Sequence, residues 1–151
     1  MRVLIAAVGR AKGPHLALQQ HYAQRIHWPL SIVEVEERRP LPAAERCRRE
    51  GALLLAALPE RAAIVALDEH GTSLASAALP GALAKWRDAG GGQIAFLIGG
   101  ADGLDEAVLA RAQFRLALGP MTWPHLLVRG LLLEQLYRAQ QIMAGHPYHR
   151  K

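Results

Sequence analysis

Short apolar runs rich in β-branched residues alternate along this chain with stretches of helical spacing, and no other feature restricts its possible folds as much. Val3–Val8, Ala62–Leu67 and Ile94–Ile98 are almost wholly apolar, as expected of strands covered on both faces. Leu30–Glu36 partly alternates apolar with polar residues, and Phe114–Leu118 gives a fifth strand. Between them, helical patterns run over His15–Ile26, Ala43–Leu58, Ser76–Arg87, Leu104–Ala112 and His125–Met143. Pro59 stops the second of these, while Pro80 leaves the start of the third open. Strands separated by helices give an α/β fold with a mostly parallel sheet flanked by helices. A chain of 151 residues fits one such domain, spanning 1–151.

Parallel sheets bind ligands at the carboxyl ends of their strands. Asp68, Gly99-Gly100 and Gly119–Pro124 each follow an expected strand end, so they point to one shared ligand site. Ile98-Gly99-Gly100-Ala101-Asp102-Gly103 is a strand-to-helix turn without the spacing of a Walker loop or a dinucleotide fingerprint. It is either a tight turn or a place where a ligand approaches backbone closely. Gly119-Pro120-Met121-Thr122-Trp123-Pro124 combines two φ-fixing prolines with two bulky apolar side chains. Such a stiff loop is either a structural connection or a pre-shaped wall for an aromatic ligand such as adenine.

Charge narrows the partner class. Eighteen Lys+Arg against thirteen Asp+Glu give a net charge of +5, compatible with a polyanion. Cys47 is the single cysteine, which excludes an intrachain disulfide framework and a thiolate zinc cluster. No run approaches the ~18–20 apolar residues of a membrane span, and the first eight residues are too short for a signal peptide. The expectation is a cytoplasmic protein with no membrane partner and no metal. His146 and His149 lack a third ligand nearby.

The last helix is apolar nearly all round, from Leu126 to Met143, and needs cover on more than one face. Full burial in one core and a homodimer both satisfy that need. Arg129, Glu134 and Arg138 interrupt it, with Glu134 and Arg138 at ion-pair spacing. The tail His146-Pro147-Tyr148-His149-Arg150-Lys151 reads either as a solvated basic end or as a segment folded over a site.

Leu97–Leu104, Met121-Thr122-Trp123-Pro124-His125, Glu134–Ala139 and His146–Arg150, in this order, resemble successive signatures of the ribosomal large subunit methyltransferase H family. Gly9, Glu50-Gly51 and Leu67-Asp68 with Gly71 support the match, which covers essentially the whole chain. The resemblance implies a SPOUT α/β fold with a C-terminal trefoil knot, a rare exception to unknotted topology. It further implies a homodimer that uses S-adenosylmethionine to methylate N3 of a pseudouridine in 23S rRNA of the assembled ribosome. Carried onto this chain, the cofactor site would be Leu67, Asp68, Gly100, Gly119, Pro120, Met121, Thr122, Trp123 and Pro124. For catalysis the candidates are His149 as base, Tyr148 as positioning group and Arg129; Arg138, Arg150 and His146 would contact RNA. Competing readings are a SPOUT methyltransferase of another RNA, such as tRNA, and a non-catalytic ribosome-associated factor.

Overall fold

The computed structural model describes residues 1–150, so Lys151 of the expected tail lies outside the described residues. Five strands, β1 (Arg2–Val8), β2 (Leu30–Val35), β3 (Ala63–Ser73), β4 (Gln93–Ile98) and β5 (Phe114–Ala117), form one parallel sheet in the order β2-β1-β4-β3-β5. Four helices connect them, α1 (Gly13–Ala23), α2 (Ala43–Ala56), α3 (Leu79–Ala89) and α4 (Glu106–Arg111), and α5 (His125–Met143) follows the last strand.

The period of two along each strand sorts the core into two layers. Ile5, Val65 and Phe96 point to the side covered by α3 and α5, where Leu83, Trp86, Leu132, Leu133 and Leu136 are buried against them. Their neighbours Ala6, Ile64 and Leu97 point the other way, onto Leu54 of α2 and Val108 of α4. Central strands buried on both faces cannot afford a polar side, which is why β1 and β4 read as unbroken apolar runs.

Several element ends shift by one to three residues from the sequence expectation, and two differences change how the sheet and α3 are built. β3 does not end at Asp68 but continues to Ser73, where Thr72 and Ser73 pair with Leu116 and Ala117 after a register shift. Gly71 makes this possible, because a Cβ there would lie 2.5 Å from the Arg115 carbonyl oxygen. Ser76 begins a 3-10 turn, Ser76–Ala78, so α3 starts at Leu79 and Pro80 falls within its first turn. Beyond β5 at the sheet edge, α5 returns to pack on α1 and α3, a course consistent with the implied knot.

Candidate active site

The carboxyl ends of three neighbouring strands enclose a cavity of about 530 Å³. Leu67–His70 of β3 form one wall, Ile98–Leu104 after β4 the second, and residues between Arg115 and Trp123 around β5 the third. Leu67, Asp68, Gly100, Gly119, Met121, Thr122 and Trp123 therefore meet, as the sequence suggested; Pro120 and Pro124 flank the wall without lining it. The third loop is held to the first by Thr122 Oγ1, which donates to Glu69 Oε2 at 2.6 Å. Trp123 is braced by its Nε1 donating to the Leu118 carbonyl at 3.2 Å. Gly119 sits at φ +103, a conformation that suits glycine alone at little cost.

A cavity of this size suits a nucleoside-sized ligand. Its leucine, isoleucine and valine lining offers an aromatic base apolar cover, while Asp68, Glu69 and Asp102 suit a ligand that carries cationic groups. These residues fit S-adenosylmethionine. Gly100 also needs space on its other side. A Cβ at that position would lie 2.9 Å from Glu50 Oε2 and 3.0 Å from Val8 Cγ1, so the missing side chain clears protein behind the turn.

A second cavity of about 620 Å³ adjoins the first across Leu116, Leu118, Gly119 and Trp123. Glu134, Gln135, Arg138 and Tyr148 line it, together with Tyr22 and Ser76. The tail is folded back here. Tyr148 packs edge-on against Tyr137 at 4.8 Å, lies under the Arg138 guanidinium at 4.9 Å, and donates to Glu134 Oε1 at 3.1 Å. Arg138 Nη2 donates to the same oxygen, making the i,i+4 pair expected from the spacing. Partial burial, the Tyr22 hydroxyl and the Glu134 carboxylate push the Tyr148 phenol up to about 12. Arg138 Nη1 reaches His149 Nδ1 at 3.3 Å. A guanidinium can only donate, so that nitrogen accepts and the imidazole proton sits on Nε2. His146 Nδ1 accepts from the Tyr148 amide, and Arg150 is exposed.

Arg129, a catalytic candidate by the resemblance, is not among these groups. Its side chain is 1% exposed. Nη1 donates to Glu34 Oε2, and Nη2 to the carbonyls of Val8 and Gly9 at 2.9 and 2.5 Å. It lines neither cavity and ties α5 to the ends of β1 and β2. His125, one turn earlier, does line the first cavity, and burial followed by the charge of Arg129 and then His15 lowers its pKa below the usual histidine value.

Comparison with known proteins agrees with this geometry. The family described as "Predicted SPOUT methyltransferase" matches residues 1–149. The ribosomal RNA large subunit methyltransferase H of Rhodospirillum centenum is 58% identical over 151 residues, covering 99% of both chains. The protein of that name from Gluconacetobacter diazotrophicus is 54% identical over 147 residues, covering 97% of this chain and 95% of that one. The chain belongs to the ribosomal RNA large subunit methyltransferase H family of SPOUT methyltransferases. Solved structures share the SPOUT fold at low identity. Lpg2936 of Legionella pneumophila, determined with bound SAM, gives a TM-score of 0.52 at 12% identity, covering 92% of this chain and 66% of that chain. The SpoU methyltransferase AviRb of Streptomyces viridochromogenes gives 0.50 at 13%, covering 96% and 61%.

Within this methyltransferase H chain, Glu69, Arg115 and His125 line the first cavity although no role had been assigned to them. His125 stood inside a quoted motif and could have been found by its position directly after the Trp-Pro wall. Arg115 gave no signal, being one polar residue of a strand. Among the described residues no helix is long and apolar enough to cross a membrane, and no group of three metal-ligating side chains occurs.

Proposed function

We propose that this chain methylates N3 of a pseudouridine in 23S rRNA of the assembled large ribosomal subunit, with S-adenosylmethionine held in the cavity at the ends of β3, β4 and β5. The convergence of three separate strand-end segments on one nucleoside-sized space carries this reading. The whole chain acts as one domain. S-adenosylmethionine would supply a methyl group on a sulfonium, whose transfer leaves a neutral thioether and needs no acid on that side.

The chain's own task is to bring the acceptor nitrogen in line and dispose of its proton. Glu134 organises the groups beside the second cavity by accepting from both Arg138 and Tyr148. With its pKa pushed up to about 12, Tyr148 stays neutral at physiological pH and acts as a positioning donor, not a base. Arg138 is placed to steady an imide oxygen or a phosphate. His149 serves as base only after Arg138 releases Nδ1, because the other ring nitrogen carries the proton in the present arrangement. RNA entry would therefore redirect Arg138 and free His149 in one movement. Exposed His146 and Arg150 supply further contacts to RNA.

A homodimer is part of this proposal. Leu127, Val128 and Leu131 of α5 remain only half-buried, and Met143 is exposed, although Leu132, Leu133 and Leu136 fill the core. A second copy would cover that apolar face. Work on ribosomes implies a cytoplasmic location. Incubating the protein with labelled S-adenosylmethionine and either ribosomes or extracted tRNA tests the reading. Label in 23S rRNA supports it; label in tRNA favours another SPOUT activity, and absence of cofactor binding favours a non-catalytic factor.

A further inference from the structure

Glu50 lines neither cavity, yet it is a carboxylic acid only 6% exposed, on the face of α2 that meets the turn after β4. Its Oε1 is buried with no hydrogen-bond partner among the described residues. Its Oε2 is the atom that would lie 2.9 Å from a Cβ on Gly100, a residue that lines the first cavity. The same helix face grips the rest of the turn. Arg46 Nη1 donates to Asp102 Oδ2 at 3.3 Å, and Cys47 Sγ donates to the Gly103 carbonyl at 3.6 Å. Gly51 is packed so closely that a Cβ there would lie 3.0 Å from Val108 Cγ2 and 3.1 Å from Asp105 Cβ.

We propose that α2 is the rear wall of the cofactor site and that Glu50 is its positioning residue: packed behind Gly100, its carboxyl group fixes the Gly99–Gly103 turn in the form that receives S-adenosylmethionine. This rests on the reading of the first cavity as the cofactor site. A polar group buried without a partner is tolerated where it has a task, and a carboxyl there is least costly when neutral. Burial, then Asp102, then the weaker repulsion from Glu37 raise the Glu50 pKa above its ordinary 4.5, with Arg46 opposing them. Cys47 on α2 and Asp105 at the start of α4 complete the ionisable surroundings of this face. A rise in pH through that elevated value would place an unpaired charge directly behind the turn and loosen it. Glu50→Gln, isosteric with the neutral acid, would not respond.

Two measurements on the full chain test this. Amide hydrogen exchange of residues 99–104 is followed with and without S-adenosylmethionine, and cofactor affinity is titrated calorimetrically over a pH series that begins at the lowest pH at which the protein stays folded. Glu50→Ala should speed exchange of 99–104 in the ligand-free protein and weaken cofactor affinity, each about tenfold, the equivalent of one lost buried contact. Glu50→Gln should match wild type at the acid end of the series and hold its affinity toward the alkaline end, where wild type weakens. Wild-type exchange and affinity in Glu50→Ala, or a Glu50→Gln as weak as Glu50→Ala at the acid end of the series, would overturn the proposal. If the cofactor fails to protect 99–104 in wild type, the assignment of the cavity itself is wrong, a result distinguishable from a turn that is protected but indifferent to Glu50.

Discussion

Replacing Arg129 by Met separates a frame-holding arginine from a catalytic one. Methionine keeps most of the apolar stem and removes the guanidinium, so the loss is chiefly polar. Two main-chain acceptors, the carbonyls of Val8 and Gly9, lose their donor, and each acceptor left unsatisfied in the interior costs about 1–3 kcal/mol. The Glu34 partner is 35% exposed and can rehydrate, so its ion pair adds no more than about 1 kcal/mol. Together these place the destabilisation at about 3–5 kcal/mol, the range seen when one side of a buried pair is removed. In urea that corresponds to a midpoint lower by roughly 2 M, at fixed protein concentration. The substitution should also flatten the acid side of the stability curve. Partial burial raises the Glu34 pKa, but the Ala11 amide and Arg129 outweigh it and hold the carboxyl below its ordinary 4.5. Wild-type stability from this source is therefore present above that value and lost as pH falls through the lowered one. A variant that unfolds within about 1 kcal/mol of wild type and yet transfers no methyl group would refute the structural role and return Arg129 to catalysis.

Three other expectations follow from the site and its surroundings. Leu131→Glu on the half-buried face of α5 should give a monomer by analytical ultracentrifugation where wild type sediments as a dimer; wild type sedimenting as a monomer would remove the dimer from the proposal. Deleting residues 148–151 should leave S-adenosylmethionine affinity nearly unchanged, because the first cavity includes none of residues 148–150, while single-turnover methylation falls about 100-fold or more; wild-type turnover would make the tail a solvated end. Tyrosine absorbance titration should show one phenol ionising near pH 12, and Glu134→Gln should move it toward the ordinary value of 10.0; no change in that variant would mean that Glu134 does not govern Tyr148.

Much of this architecture is visible in local pattern because the sheet is parallel and covered on both faces. β1 and β4 announce themselves as apolar runs, and α5 begins and ends where its spacing indicates. The continuation of β3 was hidden, since Asp-Glu-His-Gly-Thr-Ser has a loop composition and pairs only because Gly71 lets β5 approach. Strand order was equally out of reach, being fixed by contacts between distant residues such as Ile5 and Phe96. For the site, the glycine-rich and Pro-containing segments after strand ends pointed to loops that line the first cavity, although Pro120 and Pro124 themselves only flank it. Arg129, a cation in a leucine-rich helix, looks available for chemistry in the sequence; its partners are a glutamate 95 residues away and two carbonyls that no sequence pattern displays.

The central claim is tested most directly on the product nucleoside. Ribosomes lacking the modification are incubated with the purified chain and S-adenosylmethionine, and their 23S rRNA is digested to nucleosides for mass spectrometry. The account predicts one new methylated nucleoside, a pseudouridine carrying the methyl group on N3. Methylation of a different base or of a ribose hydroxyl, or an unchanged nucleoside profile with cofactor bound, would contradict it.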